Sequence, residues 1–533
     1  MEVKLSGKPG DLPLQVWSDR NELQFEIAED KKTATVVIPA DATPGVHRLR
    51  FWNDVGTTDL LPFVVGVIAE QQEVEPNNQP SDAMPVSNTS VLVNGVLEKS
   101  GDVDVYQMPC NAGTTLVASV VANEKIGSPM DAVLQVLDAS GTVIAQNDDD
   151  HNRDPQLAVP VTADGPMFVR IFAFPSQPNS TIRFSGGASY VYRLTMSTDA
   201  FVDHTLPLHV HSDSPAPLQV HGWNLAQTQR KLMVEPAESE TVTVGDTFAN
   251  SVSLPVVDVP VKARAGDEAE PMTVPSIVSG CINGPDQRQV FIFDGTKGQK
   301  LSLQVHARKF YSLLDPVVQI HGPDQKLIKE LDDVSRDNLD AATELTLNAD
   351  GPHTITVSDR YRNGSPRHFY AVELAESKPT FSATTNANAF VVERAAAEAS
   401  ASDEKTDDSE PTNNNDAGLK VEVQVTRTGG LTETITFSAA DLPAGITAAP
   451  VESLKEGDSA KKVTLVLQRT AEAAAFSGPI RIIGRTESGI TQDIQAPIAN
   501  SSDTTSQLWL TVVAPPKADA PAEAEGETTP TEE

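Results

Sequence analysis

Short apolar runs bounded by turn-forming residues are the feature that most constrains how this chain can fold. Within residues 70–198, the runs at 116–121, 132–137 and 167–172 are short and rich in Val, Ile and Leu. Gly, Pro, Asn or Asp flanks each run, which is the pattern of strands joined by tight turns. No amphipathic helical pattern of useful length separates them. The segment is therefore predicted to form a small β-sandwich, and the chain to be all-β.

The same segment recurs further along the chain. Landmark residues of 67–198 reappear in the same order within 273–380, shifted by 184 to 186 positions. The matched landmarks are Gly95 with Gly280, Asp102 with Asp286, Asp131 with Asp315, Asp148-Asp149 with Asp332-Asp333, and Asp164-Gly165 with Asp350-Gly351. A steady offset indicates duplication of a whole module. The second copy departs in one place, because residues 287–289 (Gln-Arg-Gln) stand where Asp104 would be.

Six short motifs of the first copy resemble the bacterial pre-peptidase C-terminal domain. They are Glu75-Pro76-Asn77-Asn78, Gly101-Asp102-Val103-Asp104-Val105-Tyr106, Gly127-Ser128-Pro129-Met130-Asp131, Asn147-Asp148-Asp149, Asp164-Gly165 and Tyr192-Arg193-Leu194. That family is a jelly-roll-like sandwich appended to secreted proteases, collagenases and large cell-surface proteins. The resemblance therefore implies an accessory module and no catalytic role.

Other turns resemble immunoglobulin-like domains, namely Gly222-Trp223-Asn224-Leu225 and Leu442-Pro443-Ala444-Gly445-Ile446. A chain of 533 residues is too long for one hydrophobic core. We expect tandem jelly-roll-like and immunoglobulin-like sandwiches with a disordered acidic linker and tail. The predicted order is an immunoglobulin-like domain at 1–66 that is short for a complete sandwich, the first module at 67–198, a small immunoglobulin-like domain at 199–272, the second module at 273–380, an acidic, mostly disordered linker at 381–418, an immunoglobulin-like sandwich at 419–514 and a disordered acidic tail at 515–533.

Composition supports the linker assignment and excludes some partners. Residues 393–417 contain Ala, Ser, Asp, Glu and Asn without apolar periodicity, so burial cannot offset the entropy lost on ordering them. Residues 390–392 are a candidate first strand of the last sandwich, which makes the acidic segment an insertion. The net charge of −34 argues against nucleic acid and against anionic membrane surfaces.

The expected location rests on the module type. The sequence has no run of apolar residues long enough to span a membrane, and its start at Met1 lacks the apolar core of a signal peptide. Modules of this kind are exported. We therefore expect an extracellular, cell-surface or periplasmic protein whose N-terminus is truncated in this chain.

Catalytic motifs are absent from the sequence, including His-Glu-x-x-His, Gly-x-Ser-x-Gly, phosphate loops and dinucleotide fingerprints. Cys110 and Cys281 fall in different predicted domains and are interpreted as buried apolar residues. We expect no enzyme activity and no catalytic residue. His209 and His211 would share one face of a strand and could chelate zinc or copper, although a polar strand face near an interdomain joint explains them equally.

Oxygen-donor side chains are concentrated in the linker before the first module and in the Gly-Asp turn after it. Calcium takes roughly six to eight oxygen ligands. In the collagenase modules of the family, the matching linker and turn bind calcium. The resemblance thus implies a calcium site formed by Glu73, Glu75, Asn77, Asn78, Asp102 and Asp104. The alternative is a linker whose Asx side chains only cap turns. A further group, residues 147–150 with Asp131, is interpreted as an ordinary hairpin turn.

Two functions follow from the resemblance. The first is a non-catalytic exported or cell-surface protein whose sandwiches act as spacer and adhesion modules toward an extracellular protein or polysaccharide. The alternative is an accessory region of a secreted peptidase or other hydrolase whose catalytic domain lies outside this chain. A carbohydrate-binding module would need exposed aromatic platforms. The candidates are Trp17, Trp52, Trp223, Trp509 and Phe310-Tyr311.

Overall fold

The regular structure of the chain is almost entirely β, which confirms the predicted all-β class and its tandem β-sandwiches. The acidic linker was predicted at 381–418, but residues 381–384 and 389–392 lie in strands. Residues 393–417 of that linker and the predicted tail at 515–533 lie outside the described residues. No helix in the described part of the chain is long and apolar enough to cross a membrane. The computed structural model describes residues 2–5, 13–20, 22–175, 183–266, 268–336, 338–392, 418–470 and 473–513.

The first unit of the chain contains two small antiparallel sheets. One has the order β1-β4-β3, and the other has the order β2-β5-β6 with β7 also paired to β5. The strands are β1 (Glu2–Lys4), β2 (Gln15–Ser18), β3 (Gln24–Ile27), β4 (Thr33–Val37), β5 (Gly45–Asn53), β6 (Gly56–Thr57) and β7 (Leu61–Val65). Side chains alternate between the two faces of β4, where Ala34 and Val36 are buried and Thr35 and Val37 are exposed.

The first repeat is a sandwich of two five-stranded sheets, ordered β15-β12-β17-β10-β8 and β14-β13-β16-β11-β9. Its strands are β8 (Glu70–Gln72), β9 (Met84–Pro85), β10 (Ser90–Val96), β11 (Asp104–Cys110), β12 (Thr115–Val121), β13 (Ala132–Leu137), β14 (Val143–Asn147), β15 (Gln156–Pro160), β16 (Gly165–Ala173) and β17 (Val191–Ser197), with one helical turn, α1 (Asn123–Ile126). The three apolar runs of the sequence lie in β12, β13 and β16. Their side chains fill the core between the sheets, where Leu116, Leu134 and Ile171 are fully buried.

The second repeat has the same strand order, with sheets β24-β26-β33-β28-β31 and β25-β27-β32-β29-β30. Its strands are β24 (Val261–Ala263), β25 (Glu270–Pro271), β26 (Ser276–Cys281), β27 (Arg288–Gly295), β28 (Lys300–His306), β29 (Pro316–His321), β30 (Leu327–Leu331), β31 (Ala341–Thr346), β32 (Gly351–Asp359) and β33 (Phe369–Glu376), with a 3₁₀ turn at Arg308–Phe310. Each sheet takes in one strand, β24 or β25, that precedes the predicted start of this domain at residue 273.

Two three-stranded sheets lie between the repeats, ordered β18-β20-β21 and β19-β23-β22. The strands are β18 (Phe201–Leu206), β19 (Val210–His211), β20 (Ala216–Trp223), β21 (Lys231–Val234), β22 (Thr241–Val244) and β23 (Val252–Val257). Asn224, in the turn after β20, has a φ of 54°. Its amide binds the backbone of Thr115 in the first repeat at 2.7 and 2.8 Å, so this turn anchors the small unit to the sandwich before it.

The last unit has a four-stranded sheet, β34-β36-β40-β38, facing a larger sheet, β35-β45-β41-β37-β39, with β42 added to β41. The strands are β34 (Thr380–Thr384), β35 (Ala389–Val392), β36 (Leu419–Thr428), β37 (Ile435–Ala440), β38 (Ile446–Ala448), β39 (Val451–Ser453), β40 (Lys462–Arg469), β41 (Phe476–Thr486), β42 (Thr491–Asp493), β43 (Ala496–Pro497), β44 (Thr504–Thr505) and β45 (Leu508–Val512), with a 3₁₀ turn at Asp458–Ala460. Because β35 pairs in parallel with β45, the acidic segment at 393–417 is inserted between strands of one sandwich.

The first unit packs against the last one. Arg50 of β5 is fully buried and donates to Asn388 Oδ1 at 2.7 Å. The rings of Trp17 and Trp52 lie 6.0 and 5.7 Å from that of Trp509. These contacts join residues more than 300 positions apart in sequence, so the chain folds back on itself and is not an extended row of sandwiches.

Candidate metal centre

The linker that joins β8 to β9 crosses from one sheet of the first repeat to the other. Glu73 N–H donates to Asn94 O of β10 at 3.0 Å, and Asn77 O accepts from Val105 N–H of β11 at 2.8 Å. The linker is thereby bound to both sheets. This path carries its acidic side chains past the start of β11, where Asp104 lies.

Three carboxylates meet at this crossing. One oxygen each of Glu75, Asp102 and Asp104 lies within 4.8 Å of the others, and both aspartates are fully buried. One terminal atom of the buried Asn77 amide is 3.0 Å from Glu75 Oε2 and 3.1 Å from Asp104 Oδ1. An amide nitrogen at that position donates to both carboxylates, and an amide oxygen adds a fourth oxygen donor to the group.

Asp102 carries the most informative atom of the group. Its Oδ2 accepts from the Glu98 N–H at 2.6 Å. Its Oδ1 is buried and has no hydrogen-bond partner among the described residues. A buried acceptor without a partner costs roughly 1 to 3 kcal/mol, and more when it is charged. A cation bound to this group would supply the missing partner.

Glu73 is separated from the three carboxylates by a tyrosine. The Tyr192 hydroxyl lies 2.5 Å from Asp104 Oδ2 and 3.1 Å from Glu73 Oε2. The Tyr106 hydroxyl lies 2.5 Å from that of Tyr192. The other oxygen of Glu73 accepts from the Val96 N–H at 2.9 Å. Glu73 therefore fixes the tyrosines and the linker behind the group.

The electrostatics of the group favour a cation. Burial raises the pKa of Asp104 to about 8; the hydrogen bond from Tyr192 acts against this, while the negative charges of Glu73, Asp102 and Glu75 add to it. Burial likewise raises the pKa of Glu73. Near neutral pH this cluster is stabilised by binding either a proton or a positive ion.

Four of the six predicted ligands come together, namely Glu75, Asn77, Asp102 and Asp104. Glu73 lies behind Tyr192, and Asn78 is exposed with its Nδ2 3.5 Å from Glu75 Oε2. All four grouped donors can present oxygen, which suits a hard cation such as calcium and is a poor set for zinc or copper. That the group binds calcium stays a prediction.

The second repeat has different chemistry at the same place. Gln289 replaces Asp104, and its Oε1 accepts from the Tyr370 hydroxyl at 2.5 Å, as Asp104 accepts from Tyr192. Gln289 Nε2 donates to Cys281 O at 2.7 Å. In the second repeat, a neutral amide therefore accepts the hydrogen bond of the tyrosine hydroxyl and adds no negative charge.

No family model matches the chain. It is 33% identical over 117 residues to a probable subtilase-type serine protease of Deinococcus radiodurans, a match that covers 22% of this chain. The chain spans only 15% of the length of that relative.

Solved structures give weaker likenesses. The pre-peptidase C-terminal domain of a Bacillus anthracis collagenase matches 21% of this chain and 98% of that domain, at 12% identity and a TM-score of 0.17. A periplasmic inhibitor of g-type lysozyme from Aeromonas hydrophila, PliG, matches 24% of this chain and 98% of the inhibitor, at 16% identity and a TM-score of 0.16. TM-scores this low support no argument about function.

A second carboxylate group was not predicted from the sequence. Asp315, Asp332 and Asp333 of the second repeat each place an oxygen within 4.8 Å of the others. Arg360 forms ion pairs with Asp332 and Asp333 and neutralises part of their charge. The sequence did contain a sign of this group, because its three aspartates are repeat landmarks that correspond to Asp131 and Asp148-Asp149 of the first repeat. Those residues were interpreted as part of an ordinary hairpin turn.

The histidines and cysteines lie in packed surroundings. His209 is buried against Phe310, and His211 accepts from the Asp213 N–H at 3.0 Å. Neither histidine belongs to a group of three or more metal-ligating side chains within the described ranges. Burial raises the pKa of both Cys110 and Cys281 to about 11, so each thiol is protonated and is a poor nucleophile.

The aromatic side chains proposed as sugar platforms are engaged in packing. The rings of Trp17 and Trp52 each lie against that of Trp509, and Trp223 lies 6.0 Å from Phe201. Tyr311 lies 4.5 Å from His151 of the first repeat, and Phe310 lies against His209. These rings hold units together and present no row of exposed faces.

Proposed function

We propose that this chain is a non-catalytic accessory region of an exported protein, with a calcium ion bound at the linker that joins β8 to β9 in the first repeat. The observation that carries the calcium assignment is the fully buried Asp102, whose Oδ1 has no partner in the described structure while Glu75 and Asp104 lie beside it. Carboxylates are placed this close in a protein interior when a proton or a cation compensates their charge.

Glu75, Asp102, Asp104 and Asn77 would hold the ion, the last through its amide oxygen. Calcium would offset two of the three negative charges of the carboxylates and would supply a partner for Asp102 Oδ1. Backbone carbonyls or water would complete its coordination shell. Glu75 and Asn77 belong to the linker that joins β8 to β9, Asp102 to the turn before β11, and Asp104 is the first residue of β11. The ion would therefore hold the linker against the start of β11 where it crosses between the two sheets of the first repeat.

The kind of protein to which this accessory region belongs is proposed from the motif resemblance and from the relative in Deinococcus radiodurans. The motifs of the first repeat resemble a module appended to secreted proteases, and a segment of this chain is similar to part of a probable subtilase-type serine protease. This relative favours an accessory region of a secreted peptidase. The other candidate function is a free-standing surface protein that binds extracellular protein or polysaccharide.

Calcium titration of the full chain tests the proposal. Isothermal calorimetry should detect one binding event, and the melting temperature should rise with calcium and fall with chelator. At a hundredfold excess over the dissociation constant the ion should stabilise the folded state by about 2.7 kcal/mol. The double variant Glu75→Gln with Asp102→Asn should remove both effects while retaining the β-type circular dichroism spectrum.

The matched control is Glu98→Gln. Glu98 is an exposed carboxylate four residues before Asp102, and only its backbone N–H contacts the site. This variant should bind calcium as the unchanged chain does. Identical melting in calcium and in chelator, together with no heat of binding, would show that the linker only forms a turn.

A further inference from the structure

We propose that the contact between the second repeat and the small unit before it (β18–β23) is an acid-sensitive junction. As the pH falls, two of its buried histidines bind protons and the junction opens while each sandwich stays folded. The junction has an apolar cluster of its own, separate from the cores of both units. Leu206 and Leu208 contribute to this cluster from the small unit, and Ile277, Cys281 and Phe369 from the second repeat. This inference concerns the conformation of the chain and does not depend on the calcium site.

Stacked rings cross the junction. His204 of β18 stacks on His221 of β20 and on Phe369 of β33, with ring centroids 4.7 and 3.8 Å apart. His204 Nδ1 is 2.8 Å from Asp203 Oδ2, and Asp203 Oδ1 accepts from Arg367 Nε at 3.0 Å. A positive charge on His204 is therefore compensated by the adjacent carboxylate. A second positive charge, on His221, would lie one ring spacing from the first.

His209 is the second histidine that faces the second repeat. The N–H of Leu208, the residue before it, donates to Ser279 Oγ of β26 at 3.0 Å, which fixes the backbone against that repeat. The His209 ring lies edge-on to Phe310 at 5.3 Å and 6.3 Å from the ring of His306. His209 is only 3% exposed, so its ring is enclosed while the junction is closed.

Each of these imidazoles has a buried ring nitrogen without a partner. Nδ1 of His209 and Nε2 of both His204 and His221 form no hydrogen bond with a described residue. A charged imidazole carries a proton on both nitrogens, so each of these atoms becomes a donor that needs an acceptor. A buried charge without a partner is far more costly than a buried neutral ring. The charged form therefore gains its partner when the ring reaches bulk water, which requires the junction to open.

The groups around His221 oppose a proton there. Burial lowers the pKa of His221 to about 4, and the charge of His204 acts in the same direction. The charge of Asp203 acts against this shift and that of Arg230 adds to it. Asp203 is already paired with both His204 and Arg367, so little of its charge remains for a second imidazolium.

The groups around His209 have the same net effect. Burial lowers its pKa to about 4, the charges of His306 and Lys309 add to this shift, and that of Glu373 acts against it. The Glu373 carboxylate lies 3.1 Å from His306 Nε2, so it is already paired within the second repeat. Both His209 and His221 are therefore neutral in the closed junction at pH 5.

The sign of the pH effect follows from the two lowered pKa values. Below about pH 6.5 an opened junction binds a proton at each ring, whereas the closed junction does so only near pH 4. Opening between these limits takes up two protons. Acidification should therefore raise the ratio of open to closed junction by up to about a hundredfold per pH unit. Above pH 6.5 both rings are neutral in either state, and the junction stays closed.

Two thiols of the chain report the opening. Cys281 belongs to the apolar cluster of the junction, and Cys110 belongs to the core of the first repeat. The full chain is labelled with a pyridyl disulfide, which reacts with thiols in acid, and each site is quantified by mass spectrometry against the urea-unfolded chain at the same pH. Between pH 7 and pH 5 the protection of Cys281 should fall at least about a hundredfold. The protection of Cys110 and the β-type circular dichroism spectrum should not change.

The double variant His209→Gln with His221→Gln tests which groups respond. Glutamine does not titrate, so the relative labelling of Cys281 in this variant should be the same at pH 7 and at pH 5, whatever its level. The control is His321→Gln, which removes a histidine from β29, in the sheet of the second repeat that does not contain β26 and β33. This control should respond to pH as the unchanged chain does.

Three results would overturn the proposal. The first is unchanged protection of Cys281 between pH 7 and pH 5. The second is a pH response of the double variant as steep as that of the unchanged chain. The third is an equal loss of protection at Cys110, which would show that the whole chain unfolds. Calcium titration at pH 7, where the junction is closed, tests the metal centre separately, so the two proposals fail independently.

Discussion

Arg367 of the second repeat forms a bidentate ion pair with Asp150 of the first, with Nη1–Oδ1 and Nη2–Oδ2 distances of 2.6 and 2.9 Å. The Nε of the same guanidinium donates to Asp203 Oδ1, in the unit between the repeats, at 3.0 Å. Both aspartate side chains are almost fully buried, and that of Arg367 is 20% exposed. One side chain thus joins three units of the chain.

Replacing Arg367 by Met should destabilise the protein by about 3 kcal/mol. The change leaves the buried carboxylate of Asp150 with only the His151 ring, at 3.7 Å, as an ion-pair partner. Asp203 keeps His204 at 2.8 Å and the Gln156 amide at 3.4 Å. Urea denaturation followed by intrinsic fluorescence measures the loss. Arg362→Met is the control, because that side chain is 77% exposed and lies 3.8 Å from Asp286, a pair worth at most about 1 kcal/mol. Equal effects of the two substitutions would show that the junction contributes nothing to stability.

Arg50→Met should weaken the contact between the first and last units by about 3 kcal/mol. Burial lowers the pKa of Arg50 to about 10, and the side chain donates to Thr58 O and Asn388 Oδ1 at 2.7 Å each. Methionine would leave both acceptors without their donor. The midpoint of thermal unfolding should fall, and hydrogen exchange in β5 and β35 should quicken. Unchanged exchange in both strands would contradict the role assigned to this contact.

Stability should fall as the pH drops from about 6.5 to 4, because His209 is buried in its neutral form. Burial lowers its pKa from 6.5 to about 4, with the charges of His306 and Lys309 acting in the same direction and that of Glu373 against it. Below pH 6.5 the unfolded chain binds a proton at this residue and the folded chain does not. Stability is therefore complete above pH 6.5 and is lost on acidification, by about 2 kcal/mol at pH 5 from this residue.

The readout is the slope of unfolding free energy against pH in the unchanged protein and in His209→Gln. Glutamine does not titrate, so the variant should lose less stability between pH 7 and pH 5. His211→Gln is the control. His211 is only partly buried, and its Nδ1 accepts from the Asp213 N–H. A slope in His209→Gln as steep as that of the unchanged protein would mean that other groups account for the acid sensitivity.

The purified chain should not hydrolyse casein, gelatin or chromogenic esters above the buffer rate. The sequence carries no catalytic motif, and the thiols of Cys110 and Cys281 are held protonated by burial. Cleavage of labelled substrates followed by fluorescence measures the residual rate. Turnover that survives repurification and disappears on a single substitution would refute the accessory role.

The local pattern of the sequence was sufficient for the fold class and for part of the candidate site. Strands of about five residues alternate their side chains between two faces, so short runs of Val, Ile and Leu identify strands without reference to the rest of the chain. The landmarks from Gly95 to Asp350 also predicted two similar units, and their sheets have the same strand order. The oxygen donors Glu75, Asn77, Asp102 and Asp104 were recognisable from the motifs that contain them.

Tertiary structure decided which of these residues meet. Glu73 and Asn78 have the same chemistry as Glu75 and Asn77, yet the path of the linker places Glu73 behind Tyr192 and Asn78 in solvent. The pairing of Arg367 with Asp150 spans 217 positions. Such contacts depend on strand register, on loop paths and on how whole sandwiches pack, and these are properties of the complete fold. Periodicity along a short segment specifies a strand and its buried face, but it contains no information about a partner hundreds of residues away.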